Sequence, residues 1–378
     1  MREVAIFRHN LFRISEPFIA GQAQHLQRYK PLYLGRMRFG PAPDGAESLA
    51  LQDLAQTWPL PLIGWQMITR NPRPYQRLLQ GHRPSLIHAH FGIEGVYALP
   101  LARRLGIPLV TTFHGFDATL ASWALMGSPA WAQYPLLRRT LARRGDLFIC
   151  ASSFIHERLL ALGFPEARTH ALYIGVDCHK IRPRHPSEEA PAILHVARLV
   201  EVKGTRYLLR AFATVARRYD SVQLIIIGDG PLRQALRSLA ASLGLQGRVR
   251  FLGALSHADV LAWMRKAAML VLPGIRTATG RVEGLGMVLL EAAATGVPAI
   301  GSRVGGIPEG VIDGRTGYLI PERDHDALAC RIGEMLDDPA MRRGMGAEAR
   351  ALVERRFDIG RQTAILESLY DRVSSSAG

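Results

Sequence analysis

Ala192-Ile193-Leu194-His195-Val196-Ala197-Arg198, met just after the polar, proline-rich Arg182-Pro183-Arg184-His185-Pro186-Ser187-Glu188-Glu189, restarts a pattern the chain has already run once. A short apolar run ends in a basic loop, Glu201-Val202-Lys203-Gly204, and a helix follows over Thr205–Arg218. Further strands are predicted at Val222–Ile227, Val249–Leu252, Met269–Leu272 and Pro298–Ile300, with a helix over Leu232–Leu243. Before the proline-rich stretch, strands are predicted at Val4–Arg8, Pro84–His90, Ile107–Thr112, Asp146–Ala151 and Ala171–Ile174, with a helix from about Gly95 to Leu105. Strand–helix alternation makes parallel sheets with helices on both faces. Two runs around a linker give an α/β chain of two Rossmann-like domains, residues 1–180 and 190–357. An amphipathic helix over about 358–378 closes the chain and is expected to return to the first domain.

The 378 residues suffice for two such domains. No apolar run is long enough to span a bilayer. The segment Met1-Arg2-Glu3-Val4-Ala5-Ile6-Phe7 has an early acid and enters a strand at once, unlike a secretory leader. Cys150, Cys178 and Cys330 show neither pairing logic nor metal spacing, so a reducing cytoplasm is expected. The net charge is +15, and residues 1–180 hold 20 Lys+Arg against 11 Asp+Glu. Such an excess fits nucleic acid, an anionic membrane face or a phosphorylated substrate. Arg103-Arg104, Arg138-Arg139 and Arg143-Arg144 are paired, and Arg139 and Arg143 lie one helical turn apart. Trp58, Trp65, Trp123, Trp131 and Tyr134 stand in the same half. Aromatics beside arginines suit an interfacial helix on an anionic bilayer, the alternative being solvated faces.

In open parallel sheets, ligands bind beyond the carboxyl ends of the strands. Arg198 and Lys203 follow one such end and could together neutralise a diphosphate. Gly228-Asp229-Gly230-Pro231 follows another. It resembles a dinucleotide-binding turn without its third glycine, with Asp229 suited to cap a helix and Pro231 to open it. His114 follows a third, in Phe113-His114-Gly115-Phe116-Asp117, where a structural histidine is the plainer reading. Glu283-Gly284-Leu285-Gly286-Met287-Val288-Leu289-Leu290-Glu291 has the layout of a glycine loop turning into a buried helix. Its glycines admit close backbone approach, and a helix start attracts anions. Glu291 lies about two turns from Glu283, so both carboxylates could face one side. Carboxylates beside a phosphate site make sense if they accept from sugar hydroxyls. A surface glutamate, a turn and an acid near a helix start are the alternative.

Taken in order, Val196-Ala197-Arg198-Leu199 with Lys203-Gly204, Gly228-Asp229-Gly230-Pro231, Glu283–Glu291, Gly305-Gly306-Ile307-Pro308-Glu309 and Asp313-Gly314-Arg315-Thr316-Gly317-Tyr318-Leu319 resemble the retaining family-4 glycosyltransferases of the GT-B fold. The first half, through Ser15-Glu16-Pro17-Phe18-Ile19, His88-Ala89-His90-Phe91-Gly92 and the His114 segment, resembles bacterial exopolysaccharide and lipid-linked-oligosaccharide members. The resemblance implies transfer from a UDP- or GDP-sugar to a glycan or polyprenyl-linked acceptor in surface polysaccharide synthesis. Glu291 would bind the ribose hydroxyls and Glu283 those of the donor sugar. The backbone of Gly284, Leu285, Gly286 and Met287 would cradle the diphosphate, with Gly228 and Gly230 nearby. Arg198 and Lys203 would stabilise the leaving group, His114 would contact the sugar, and the base would lie near Leu255-Ser256. Ser15 and Glu16 are acceptor-site or donor-loop candidates, in a loop that departs from the glycine-rich one many relatives carry.

No cofactor, metal or nucleic-acid partner is expected, and the protein is placed in the cytoplasm, peripherally on the inner membrane face. Asp324-His325-Asp326 reads as a helix cap rather than a metal ligand, and Asp337-Asp338-Pro339 as a helix-to-helix turn. His88 and His90 share a strand face without a third ligand near in sequence. Ser152-Ser153 lacks the glycines of a hydrolase elbow. Two other readings stand beside the transferase: another enzyme on this fold, such as a nucleotide-sugar epimerase or a phosphorylase, and a non-catalytic basic binder of membrane or nucleic acid.

Overall fold

The computed structural model describes residues 1–13, 16–54 and 59–375. Ser15 and Trp58 lie outside the described residues. The chain forms two compact units, one of Met1–Ile174 with Ile359–Gly378, the other of Gly175–Asp358.

The first unit is built on a seven-stranded parallel sheet in the order Glu47–Ala50, Tyr29–Gly35, Arg2–Phe7, Pro84–His90, Leu109–Phe113, Leu147–Cys150, Thr169–Ala171. Val4, Ala5, Ile6 and Phe7 are all buried. Helices cover both faces, so the strand is a continuous apolar run rather than an alternating one. Connections from the central strand Arg2–Phe7 run first to one side and then to the other. The strand order therefore reverses between Arg2–Phe7 and Pro84–His90, and a crevice opens past their carboxyl ends. The closing helix, Ile359–Ser375, belongs to this unit, as expected. Its Leu366, Leu369 and Tyr370 pack with Val4, Ile6 and Leu86. Its Glu367 accepts from the backbone of Gln27 (2.9 Å) and Arg28 (2.6 Å).

The second unit carries a six-stranded parallel sheet in the order Val249–Gly253, Gln223–Ile227, Ala192–Val196, Met269–Leu272, Ala299–Ser302, Gly317–Ile320. Its order reverses between Ala192–Val196 and Met269–Leu272. The amphipathic helix Thr205–Ala216 buries Leu208, Leu209, Phe212 and Val215 against Ile193, Leu224 and Ile226 of the sheet.

The doubly wound architecture is as expected, with differences at the margins. Tyr29–Gly35, Glu47–Ala50 and Gly317–Ile320 are additional strands. Pro31 lacks an amide hydrogen, which obscures the first of them, although it pairs with Val4 near the strand's start. The strand expected at Ala171–Ile174 lies at Thr169–Ala171. Asp324, Asp338 and Ser152 cap helices through the amides of Ala327, Met341 and Ile155. Asp229 does not: the helix begins at Arg233, and Asp229 instead accepts from Gly230 N and pairs with Arg233. Tyr134 is a core residue and Trp131 stacks on Phe116, so neither belongs to an exposed aromatic face.

Candidate functional site

In the second unit, the loops leaving Ala192–Val196 and Gln223–Ile227 are zipped together by Ala197 N to Ile227 O (3.0 Å), Leu199 N to Asp229 O (2.9 Å) and Leu232 N to Leu199 O (3.1 Å). A Cβ on Gly228 would stand 2.0 Å from Ala197 O, and one on Gly230 2.5 Å from Leu199 O. Loop-to-loop packing therefore requires both glycines, independent of any ligand. A short 3₁₀ turn, Glu201–Lys203, ends at Gly204 with φ 66°, where a Cβ would meet Pro273 O at 1.7 Å. The loop carrying Lys203 is thus pressed against the end of the strand across the switch point. Buried His195 fixes the base of this loop. Its Nδ1 faces Val271 O (2.8 Å) and must donate, so Nε2 accepts from the Thr205 hydroxyl (2.9 Å). Burial lowers its pKa to about 4, which keeps it neutral at ordinary pH.

Lys203 Nζ forms an ion pair with Glu283 Oε2. Glu283 lies four residues before Met287, the first residue of the helix Met287–Ala294, so helical periodicity does not place it. Lys203 on one side and the loop Val304–Gly306 on the other do. Gly306 N donates to Glu283 O (3.0 Å). A Cβ on Gly305 would approach Glu283 O to 2.2 Å, and one on Gly306 would approach Gly284 O to 1.9 Å. Gly286, at φ 82°, opens the helix, and no side chain caps it. Gly284, Leu285 and Gly286 are buried, and Met287 is partly exposed. Arg281, which no sequence signal marked, joins the group. Burial lowers its pKa first and the charge of Arg198 next, while Glu283 opposes the shift. Arg198, Lys203 and Arg281 thus outnumber the single carboxylate Glu283, and the cluster presents surplus positive charge at the switch point.

Glu291 sits in the second turn of the same helix. Its Oε1 accepts from His257 Nε2 at 3.0 Å. That bond is the chief reason the His257 pKa is raised. His257 directly follows Leu255-Ser256, and Ser256 caps the helix His257–Lys266 by accepting from Asp259 N.

The other expected residues lie in the first unit. His114 Nε2 meets His90 Nδ1 at 3.0 Å, while its buried Nδ1 has no partner among the described residues. His88 and His90 do share a strand face, with ring centroids 4.3 Å apart. His88 also bonds Tyr370 OH (2.5 Å) and Thr112 Oγ1 (2.6 Å). Burial pulls the pKa of His88 and of His114 down to about 3, and that of His90 lower as well. Glu16 accepts two bonds from Arg8, each 2.9 Å, and Arg8 also reaches buried Glu94. Sequence reasoning did not single out Arg8 or Glu94. Among the described residues, the grouping that approaches a metal-ligand set is Glu3, Glu47 and His82. Opposite ring nitrogens of His82 face the two carboxylates, at 3.4 and 3.3 Å, which is an imidazole bridging two acids rather than a chelate.

Two family models cover the chain: glycosyl transferases group 1 over residues 178–352, and glycosyltransferase family 4 over residues 37–180. The chain is 32% identical over 277 residues to a GDP-mannose-dependent alpha-(1-6)-phosphatidylinositol monomannoside mannosyltransferase of Mycolicibacterium smegmatis, covering 69% of this chain and 70% of that protein. Among solved structures it resembles sucrose-phosphate synthase of Thermosynechococcus elongatus, with TM-score 0.80, 21% identity and full coverage of both chains. It also resembles Anabaena HepE, solved with UDP and glucose, with TM-score 0.75, 21% identity, and 98% and 99% coverage.

Proposed function

Because this chain belongs to the family of group 1 and family 4 glycosyltransferases, with the two Rossmann-like domains of the GT-B fold, we propose how the residues at the switch point of its second sheet carry out the transfer. The donor is a UDP- or GDP-linked sugar. The acceptor is a glycan or lipid-linked glycan of bacterial surface polysaccharide synthesis, and anomeric configuration is retained. The observation that carries this reading is the Lys203–Glu283 pair with Arg198 and Arg281 beside it, at the switch point of the second sheet. The mycobacterial relative uses GDP-mannose by name and the Anabaena structure holds UDP, so both bases are carried forward.

Transfer breaks the bond between the sugar's anomeric carbon and the diphosphate, and forms one to an acceptor oxygen. Negative charge develops on the departing diphosphate. The backbone carrying Arg198, Lys203 and Arg281 is held by Val200 N to Arg198 O (2.8 Å), Lys203 N to Val200 O (3.1 Å) and Thr277 N to Arg281 O (2.9 Å), and charge set on a preorganised frame is usually the largest catalytic term. Gly284, Leu285, Gly286 and Met287 offer backbone amides at an uncapped helix start. Glu283, held by Lys203, accepts from hydroxyls of the donor sugar, and Glu291 accepts from the ribose. Attack from the face the leaving group departs is the route the family resemblance implies, and among the described residues no carboxylate is placed as a covalent nucleophile. A phosphate oxygen of the donor takes the acceptor's proton. In the first unit, His114 has Nε2 engaged by His90, which leaves Nδ1 as the ring nitrogen open to a ligand.

We further infer that the first unit rests on an anionic membrane face. No described helix is long and apolar enough to cross a membrane. Leu60, Trp65 and Ile68 stand exposed on the helix Pro59–Thr69, Trp123 and Met126 on Ser122–Met126, and Leu136 on Gln133–Arg144 with exposed Arg139 and Arg143. Gln133 Nε2 ties the first of these helices to the last by donating to Met67 O (2.7 Å) and Ile68 O (3.0 Å). Apolar side chains flanked by arginines suit a headgroup layer.

Thermal unfolding against a panel of nucleotides and nucleotide sugars tests the donor assignment. A ligand bound only by the native state raises the midpoint according to its affinity. A selective rise with UDP or GDP species is expected. No rise at millimolar ligand, together with salt-sensitive binding of polynucleotide, would favour a basic binder instead. Conversion of a nucleotide sugar without acceptor would favour an epimerase.

A further inference from the structure

His257 stands exposed at the first position of the helix His257–Lys266, yet it reaches across to Glu291 on the helix Met287–Ala294. Local architecture does not require it there. Ser256 supplies the helix cap, and Val260 and Met264 bury the helix against the unit. The His257 side chain is 53% exposed and that of Glu291 19%. An exposed pair of this kind adds little stability. Its effect is geometric instead. A glutamate on a helix surface has three side-chain torsions, and the 3.0 Å bond from Nε2 to Oε1 removes most of that freedom. Among the described residues, no group bonds the second oxygen, Oε2.

We propose that His257 is a positioning residue for the nucleoside: it pins Oε1 of Glu291 so that Oε2 is presented to a ribose hydroxyl of the donor. Its location supports this role. His257 adjoins Leu255-Ser256, on the loop that follows the strand Val249–Gly253, beyond a carboxyl end of the sheet where ligands gather. Holding an acceptor in place before binding lowers the ordering cost paid at binding. The consequence is selectivity for ribose over deoxyribose. A pinned carboxylate left facing a missing hydroxyl is an unpaired acceptor, whereas a mobile one turns to water. The proposal rests on the nucleotide-sugar reading of this site.

The test is a double-mutant cycle on the full-length protein between His257→Ala and the ribose hydroxyls. UDP, GDP and their 2′-deoxy and 3′-deoxy counterparts are titrated by calorimetry. Wild type should bind one ribonucleotide about 10-fold or more tighter than at least one of its deoxy forms. His257→Ala should lose about 5–10-fold on the ribonucleotide and little on that deoxy form, so the two changes are not additive. His257→Gln, whose amide can still donate to Glu291, should recover most of the loss. In turnover, the alanine variant should raise the donor KM and leave kcat near wild type. Equal loss on ribo and deoxy ligands, or no loss on either, overturns the positioning role while leaving the donor assignment intact. Wild-type protein that binds ribo and deoxy forms alike overturns the ribose contact of Glu291 and the positioning role with it, and wild type that binds neither UDP nor GDP overturns the donor assignment as well. Unchanged melting temperatures of the two variants exclude misfolding as the cause.

Discussion

Acidification should unfold the first unit before the second. His9, His88 and His90 are each at most 6% exposed there, and burial is the leading cause that depresses all three pKa values. The unfolded chain takes up these protons near pH 6.5, whereas the folded chain refuses them until far lower pH, about 3 for His88. Stability is therefore full above pH 6.5 and is lost as pH falls toward the folded values. For His88 at pH 5 the loss is about 2 kcal/mol, at about 1.4 kcal/mol per pH unit. His9 and His90 are shifted in the same direction by burial and His114 is also held at about 3, so the first unit loses more than His88 alone accounts for. A domain holds only about 5–15 kcal/mol in total. The second unit carries one comparable group, His195, with a pKa of about 4, which costs about 2 kcal/mol at pH 5. The assay is urea unfolding of the whole protein at pH 7 and pH 5, read by a deuterium pulse at one fixed pH. Peptides from Pro84–His90 and Leu109–Phe113 should lose protection at much lower urea at pH 5, and those from Ala192–Val196 at only slightly lower urea. Equal shifts in both sets, or none, would refute the reasoning.

Gly306→Ala should destabilise the second unit by about 1–3 kcal/mol, because its Cβ would stand 1.9 Å from Gly284 O. The same change should weaken donor binding by displacing Glu283, and chemical denaturation with calorimetry reads both effects. Lys203→Met should lower kcat more than it weakens ground-state binding of the donor, since the charge it removes acts on the leaving group. An equal loss in the two would mean that Lys203 only holds the donor. Replacing Arg139 and Arg143 together by Ser should reduce sedimentation with anionic vesicles and leave turnover of a soluble donor unchanged. Unaltered sedimentation would return those arginines to a solvated face.

The fold is legible in the sequence where one force acts alone. Apolar runs such as Leu270–Leu272 and Leu224–Ile227 lie buried on both faces, so hydrophobicity by itself marks their strands. Tyr29–Gly35 is hidden by Lys30-Pro31, where a proline that normally argues against a strand is tolerated at its start. At the site, residue identities are legible and their couplings are not. Order and spacing mark Arg198, Lys203, Glu283 and Glu291, but the partners of the two glutamates come from distant segments: Lys203 is 80 residues from Glu283, and His257 is 34 from Glu291. Such pairings depend on which strands lie side by side, a property of sheet order rather than of local pattern. Gly228 and Gly230 show the reverse case. Their motif suggests phosphate contact, while the loop packing around them already demands glycine. Glu16 likewise has the look of a binding residue and is held by Nε and Nη2 of the Arg8 guanidinium, while Nη1 turns to Glu94.

The most direct test of the central claim is glycosyl transfer measured with UDP- and GDP-sugars, comparing wild type with Glu283→Gln. The amide keeps the size of the side chain but loses the charge that Lys203 holds and that would accept from the donor sugar. The expected result is turnover of a donor by wild type, a loss of about 10²-fold or more in kcat/KM for Glu283→Gln, and an unchanged fold by melting temperature. A variant that transfers sugar as fast as wild type would contradict the assignment of this cluster as the donor site.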